Sequence, residues 1–181
     1  EYGRRLIAQT SWLLGPDQPD PERRYTGNRL NCASCHMDAG RSPGTLSLLE
    51  TFDKYPRFSG RDGKDADLKE RIDGCMERSM NGRKLPRDSV EMDAMVAYLR
   101  SISEQWIATS LSRRVVVEPP ALRVPARAAD LVNGKAVYED RCRVCHGRDG
   151  EGLFASPDTR RGYVLPPLWG DDAFNNGAGM G

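Results

Sequence analysis

Histidine is nearly missing from this 181-residue chain: there are two, and lysine is also scarce, with five against 22 arginines. A chain with two imidazoles has few ways to ligate metals, so the role of each histidine is tightly constrained. Long apolar runs are absent, and no stretch of about 18 uncharged apolar residues exists to span a membrane. No basic-then-apolar leader opens the sequence, which therefore reads as a mature chain with any export signal already removed. Excess charge is missing as well: a formal net charge of +1 excludes nucleic acid as the main partner. No segment shows a β-sheet pattern, so the expected fold class is all-α. The remaining composition, 38% hydrophobic and 29% charged, is that of a soluble globular chain between one large domain and two small ones.

Cysteine is what the chain does contain. Four of the five fall into two copies of one pattern, Cys32-Ala-Ser-Cys35-His36 and Cys142-Arg-Val-Cys145-His146. C-x-x-C-H is the attachment signature of haem c. The spacing has a mechanism: two thiols add across the two vinyl groups of one haem, and the next residue presents an imidazole to the iron. A zinc site built from four cysteines leaves the following histidine unexplained twice, and a thioredoxin-type motif needs a βαβ context that is absent. Two covalently bound haem c groups are expected, with His36 and His146 as their proximal metal ligands. Both histidines are then used, so the distal ligands come from Met, Lys, the fifth cysteine or an open site. Haem c is attached outside the cytoplasm, and a periplasmic location follows. An unpaired thiol there, Cys75, needs an explanation.

The periodicity divides the chain into tandem haem-bearing units. Tyr2 to Leu14 reads as a helix that stops at Gly15-Pro16. Asp65 to Met80 reads as a second, with Leu68, Ile72, Cys75 or Met76, and Ser79 at helical spacing. Asp88 to Ser103 reads as a third, opened by Asp88 with Glu91 three residues on. Met92 and Met95 lie in its buried stripe, as core rather than ligands. Val115 to Val117 followed by Pro119, Pro120 and Pro125 reads as an extended linker. A short helix from Leu131 to Arg141 enters the second motif. The expected organisation is a haem domain over 1–111, a linker over 112–130, and a second haem domain over 131–181, truncated because no closing helix follows.

Arg71, Cys75 and Ser79 are spaced i, i+4, i+8, which puts a cation, a thiol and a hydroxyl on one helical face, and Arg78 can join them. Guanidinium groups favour negative charge on sulfur, the form that binds metal and attacks as a nucleophile. They also bind dianionic oxyanions through paired hydrogen bonds. The plainer reading makes Cys75 an inert buried thiol and pairs Arg71 and Arg78 with Glu77 or Asp73 on a solvated face.

The run from Arg61 through Arg71-Ile72-Asp73-Gly74-Cys75-Met76-Glu77-Arg78-Ser79-Met80-Asn81-Gly82, with Leu85-Pro86 and Glu91 to Met95, resembles the dihaem thiosulfate dehydrogenases. So does Pro166-Pro167-Leu168-Trp169-Gly170. The resemblance implies two tandem class I cytochrome c-like domains that couple two thiosulfates into tetrathionate, a reaction some members run in reverse. It implies His36 and Cys75 as ligands of the first haem, and Arg61, Arg71 and Ser79 as an anion pocket beside Cys75. An electron-accepting cytochrome c or similar redox protein is the implied partner. In many small cytochromes a Met before a Pro is the distal ligand; here that place resembles Leu85-Pro86, and Cys75 is the substitute sulfur, with Met76 or Met80 as alternatives.

For the second haem, Met180 is the sulfur available after His146. The competing reading is a dihaem electron-transfer cytochrome with no substrate of its own, which expects Met at both irons and has no use for Cys75.

Overall fold

The computed structural model describes residues 1–109 and 126–176. Helix α1 (Tyr2–Ala8) and helix α2 (Thr10–Leu14) occupy the span expected to be one helix. They break at Gln9, whose φ of −134° is not helical, while the fully buried Thr10 hydroxyl turns back to the Leu6 carbonyl at 2.7 Å. Helix α3 (Cys32–Cys35) is the first C-x-x-C turn, closed by a reciprocal cap between Asn31 and Ser34.

A hairpin of β1 (Arg57–Ser59) and β2 (Lys64–Ala66) follows, paired antiparallel. With a second small pair, β3 (Leu153–Phe154) and β4 (Tyr163–Leu165), it adds a little sheet that the all-α expectation did not include. The fold is helix-rich with little sheet, because strands of two or three residues are too short to show an alternating pattern.

Helix α4 (Leu68–Gly74) begins three residues later than its periodicity suggests. Asp67 caps it by accepting from the Glu70 N–H, and the Glu70 carboxylate accepts from the Asp67 N–H, a reciprocal box that leaves 64–66 free to pair as β2. The helix does not run straight on to Met80. Cys75–Ser79 forms a π-helical turn, with the Met80 N–H donating to the Cys75 carbonyl at 3.0 Å. Helix α5 (Val90–Ile107) is capped by Ser89, not Asp88: the Ser89 Oγ accepts from the Met92 N–H at 3.2 Å.

α1 lies directly on α5. A Cβ at Gly3 would sit 2.0 Å from the Ala94 carbonyl oxygen, so this approach needs glycine. Leu6, Leu14, Met92 and Met95 are completely enclosed there, with Met76, Met80 and Leu85. Truncating any of these to Ala costs about 2–5 kcal/mol by the usual cavity arithmetic. Met92 and Met95 are thus core residues.

Helix α6 (Leu131–Val137), a π-helical turn (Tyr138–Cys142) and helix α7 (Arg143–His146) carry the second motif, in place of one helix ending at Arg141. None of these three contributes a buried residue. The chain beyond them returns to the first unit. Tyr163 joins the core of α1 and α5, Leu30 bridges to it, and Arg29 pairs with both Asp17 and Asp172. Most of the expected linker, with Val115 to Val117 and its three prolines, lies outside the described residues, as does Met180.

Candidate active site

The first motif opens onto an apolar cleft whose non-atom space, counting the part open to solvent, is about 930 Å³. Cys32, His36, Leu46, Arg57, Arg71 and Cys75 are among the residues that line it. The His36 Nδ1 meets the Leu46 carbonyl, and the His146 Nδ1 meets the Pro166 carbonyl at 2.9 Å. When a backbone carbonyl takes the Nδ1 proton, the Nε2 lone pair is left free to bind metal. Burial first, and the nearby Arg71 charge after it, lower the His36 pKa against the opposing pull of the Leu46 carbonyl, which keeps the imidazole neutral.

Cys32 accepts from the Thr10 hydroxyl at 3.3 Å, and burial pushes its pKa up to about 11; Cys35 is raised for the same reason. None of the five cysteines is paired in a disulfide. The residues therefore fit haem c at both motifs: two unpaired thiols and, beside each pair, an imidazole with its Nδ1 satisfied.

The structure brings Cys75 and Arg71 together. The Arg71 Nη1 donates to the Cys75 Sγ at 3.0 Å across one turn of α4. Glu77 and Asp73 take neither Arg71 nor Arg78: Glu77 approaches Lys84, and Asp73 accepts from the Leu85 N–H at 3.1 Å. The solvated-face pairing is thus not what forms.

Arg71 also lines a second cleft, of about 790 Å³ on the same measure, which Arg57, Arg61 and Arg78 line with it. Ser79 lines neither cleft, and its carbonyl accepts from the Asn28 side chain at 2.9 Å. The π-helical turn explains this. One extra residue per turn rotates Ser79 off the face that i, i+4, i+8 spacing assigned to it.

Met76 is buried in the core and touches the first cleft, whereas Met80 is buried and does not. Leu85, in the position where a Met ligand was looked for, packs in the core. Sequence reasoning missed Arg57 and the loop around Leu46. Arg57 comes from a three-residue strand, and Leu46 acts through its backbone, so neither leaves a side-chain pattern to read.

Comparison with known proteins gives the class first. Residues 23–106 match the SoxA/TsdA cytochrome c domain family, and that segment belongs to it; a cytochrome c domain implies covalently bound haem c. The whole chain is then similar to curated thiosulfate dehydrogenases. It is 38% identical to that of Thiomonas intermedia, over 100% of this chain and 55% of the relative. It is 36% identical to that of Allochromatium vinosum, over 98% of this chain and 62% of the relative. Among solved structures it resembles the thiosulfate dehydrogenase TsdBA of Marichromatium purpuratum in its as-isolated form, with a TM-score of 0.74 and 31% identity. That match covers 98% of this chain and 37% of the other. The chain spans about half the length of the first of these curated relatives.

Proposed function

We propose that this chain oxidises thiosulfate to tetrathionate as a periplasmic dihaem cytochrome c oxidoreductase and passes two electrons to an external cytochrome c or similar carrier. Cys32, Cys35 and His36 hold one haem, and Cys142, Cys145 and His146 hold the other, in two units joined through residues 112–130. The haems supply one-electron acceptor capacity, one electron each.

Two dianions repel, and joining their sulfane sulfurs requires the loss of two electrons. Arg71 and Arg61 offset that repulsion with paired hydrogen bonds to the sulfonate oxygens. Cys75, which would be the second protein ligand to the iron of the first haem, also serves as the nucleophile. Its thiolate and the sulfane sulfur of one thiosulfate form an S–S bond as two electrons depart. A second thiosulfate attacks that sulfane sulfur, releasing tetrathionate and regenerating the thiolate. Charge balances in both steps, and in the reverse direction the same residues reduce tetrathionate.

The observation that carries this reading is the 3.0 Å contact between the Arg71 guanidinium and the Cys75 sulfur, at the junction of the two clefts. A pure electron carrier has no use for that arrangement. Anaerobic addition of thiosulfate to the oxidised, haem-loaded protein tests it. Haem reduction with one tetrathionate formed per two thiosulfates is expected. An unchanged haem spectrum overturns the reading.

A further inference from the structure

The second cleft holds more arginine than one oxyanion needs. Arg57 from β1, Arg61 from the hairpin loop, and Arg71 and Arg78 from the α4 segment all line it. Of the four, Arg71 and Arg57 also line the first cleft, where Cys75 lies, so the two cavities adjoin at these arginines and Tyr55.

Nearby cations are paired: Lys64 with Glu70 at 2.6 Å, Lys69 with Asp93 at 2.6 Å, and Arg87 with Asp67. Arg57, Arg61 and Arg78, by contrast, have no carboxylate within 4.0 Å among the described residues. The two acidic residues in the cleft are committed elsewhere. Glu70 is bound by Lys64 and caps α4, and Asp62 accepts from the Ser59 hydroxyl at 2.7 Å. Asp62 has a lowered pKa, first from the Ser59 hydrogen bond and then from the Arg78 and Arg61 charges.

The Arg78 guanidinium folds back over Gly74, where a Cβ would lie 2.8 Å from its Nη2. Glu70 is held by Lys64, so the Asp62 carboxylate faces four arginines in this cleft, and a bound dianion offsets the positive charge left over.

We infer that Arg57 and Arg78, with Arg61, form a separate oxyanion subsite beside the Arg71–Cys75 site, and that it holds the second thiosulfate. The inference rests on the thiosulfate reading and deepens it. The first thiosulfate occupies the Arg71 side and presents its sulfane sulfur to Cys75. The second binds in the adjoining cleft, beside the residues that both clefts share. Tetrathionate, with a sulfonate at each end, spans both subsites.

The test is calorimetric titration of the oxidised, haem-loaded protein with tetrathionate, which oxidised haems cannot reduce, and separately with sulfate. Arg57→Gln and Arg78→Gln are each expected to weaken tetrathionate at least about tenfold, with Arg57→Lys intermediate because it keeps charge and loses the planar fork. Haem spectra and melting temperatures are expected to match the parent, since neither guanidinium is paired within the protein. Tetrathionate bound equally by parent and both Gln variants overturns the subsite and leaves the thiosulfate reading intact. Arg57-dependent binding of sulfate, with no binding of tetrathionate by the parent, supports an oxyanion subsite and overturns the thiosulfate reading.

Discussion

The Ser34 hydroxyl, inside the first C-x-x-C turn, donates to the Tyr163 carbonyl at 2.5 Å, and three residues later the Pro166 carbonyl meets the His146 Nδ1. One short stretch of chain therefore touches both haem motifs. Asn31 reinforces the link, donating to the Arg161 carbonyl at 3.0 Å. Ser34 also accepts from the Asn31 N–H, so both sides of its hydroxyl are used.

Ser34→Ala leaves the buried Asn31 N–H without its partner and the Tyr163 carbonyl with only the longer 3.4 Å bond from the Asn31 side chain, at a cost of about 1–3 kcal/mol. In a chain of this size that lowers Tm by roughly 2–10 °C. Cys32, Cys35 and His36 are untouched, so full haem content by pyridine haemochrome assay is expected alongside the lower Tm. An unchanged Tm would show that β4 does not hold the second motif to the first.

Asp67 caps the helix that carries Arg71 and Cys75. Its carboxyl is held below the usual carboxylate range, first by the hydrogen bond from Arg87, against a smaller opposing effect of burial. A depressed folded-state pKa means stability that is present above the usual carboxylate pKa of about 3.9 and is lost as pH falls through the folded value. Asp67→Asn keeps a capping oxygen but loses the charge. The acid limb of Tm against pH, measured from pH 5 down to pH 2.5, is expected to become shallower in this variant. An identical limb contradicts the assignment.

The two arginines of the proposed reaction are separable. Arg61→Lys and Arg71→Lys both keep charge and lose the planar fork, so apparent thiosulfate affinity is expected to fall about tenfold in each. Arg71 also donates to the Cys75 sulfur, whereas Arg61 does not contact it. Only Arg71→Lys is therefore expected to shift the haem absorption spectrum. Equal spectra in both variants would mean that the Arg71–Cys75 contact does not tune the sulfur.

How much of this was legible in sequence follows from how local each feature is. The two C-x-x-C-H motifs were fully readable, because covalent attachment demands adjacent residues. The Arg71–Cys75 pair was readable because both lie on one undisturbed helical turn. Ser79 lines neither cleft, and periodicity cannot reveal the extra residue of the π-helical turn that carries it. Asp88 and Ser89 both suit a helix cap, and the choice falls to Ser89, whose ψ of 148° is extended and points its oxygen back to the Met92 N–H. Arg57 was invisible, since its partners in the cleft come from a hairpin loop and a helix distant in sequence.

The central claim is that Cys75 is nucleophile as well as ligand, and Cys75→Met separates the two roles. A thioether can ligate iron but cannot form the sulfane adduct, so low-spin haem is expected with thiosulfate oxidation reduced by orders of magnitude. Cys75→Gly should lose activity too, and change spin state as well, with both haems still attached. The decisive measurement is the steady-state rate of tetrathionate formation by the Cys75→Met protein. A rate at least about a hundredfold below the parent is what covalent catalysis predicts. A rate equal to the parent would show that Cys75 is a ligand alone and that the sulfur–sulfur bond forms without it.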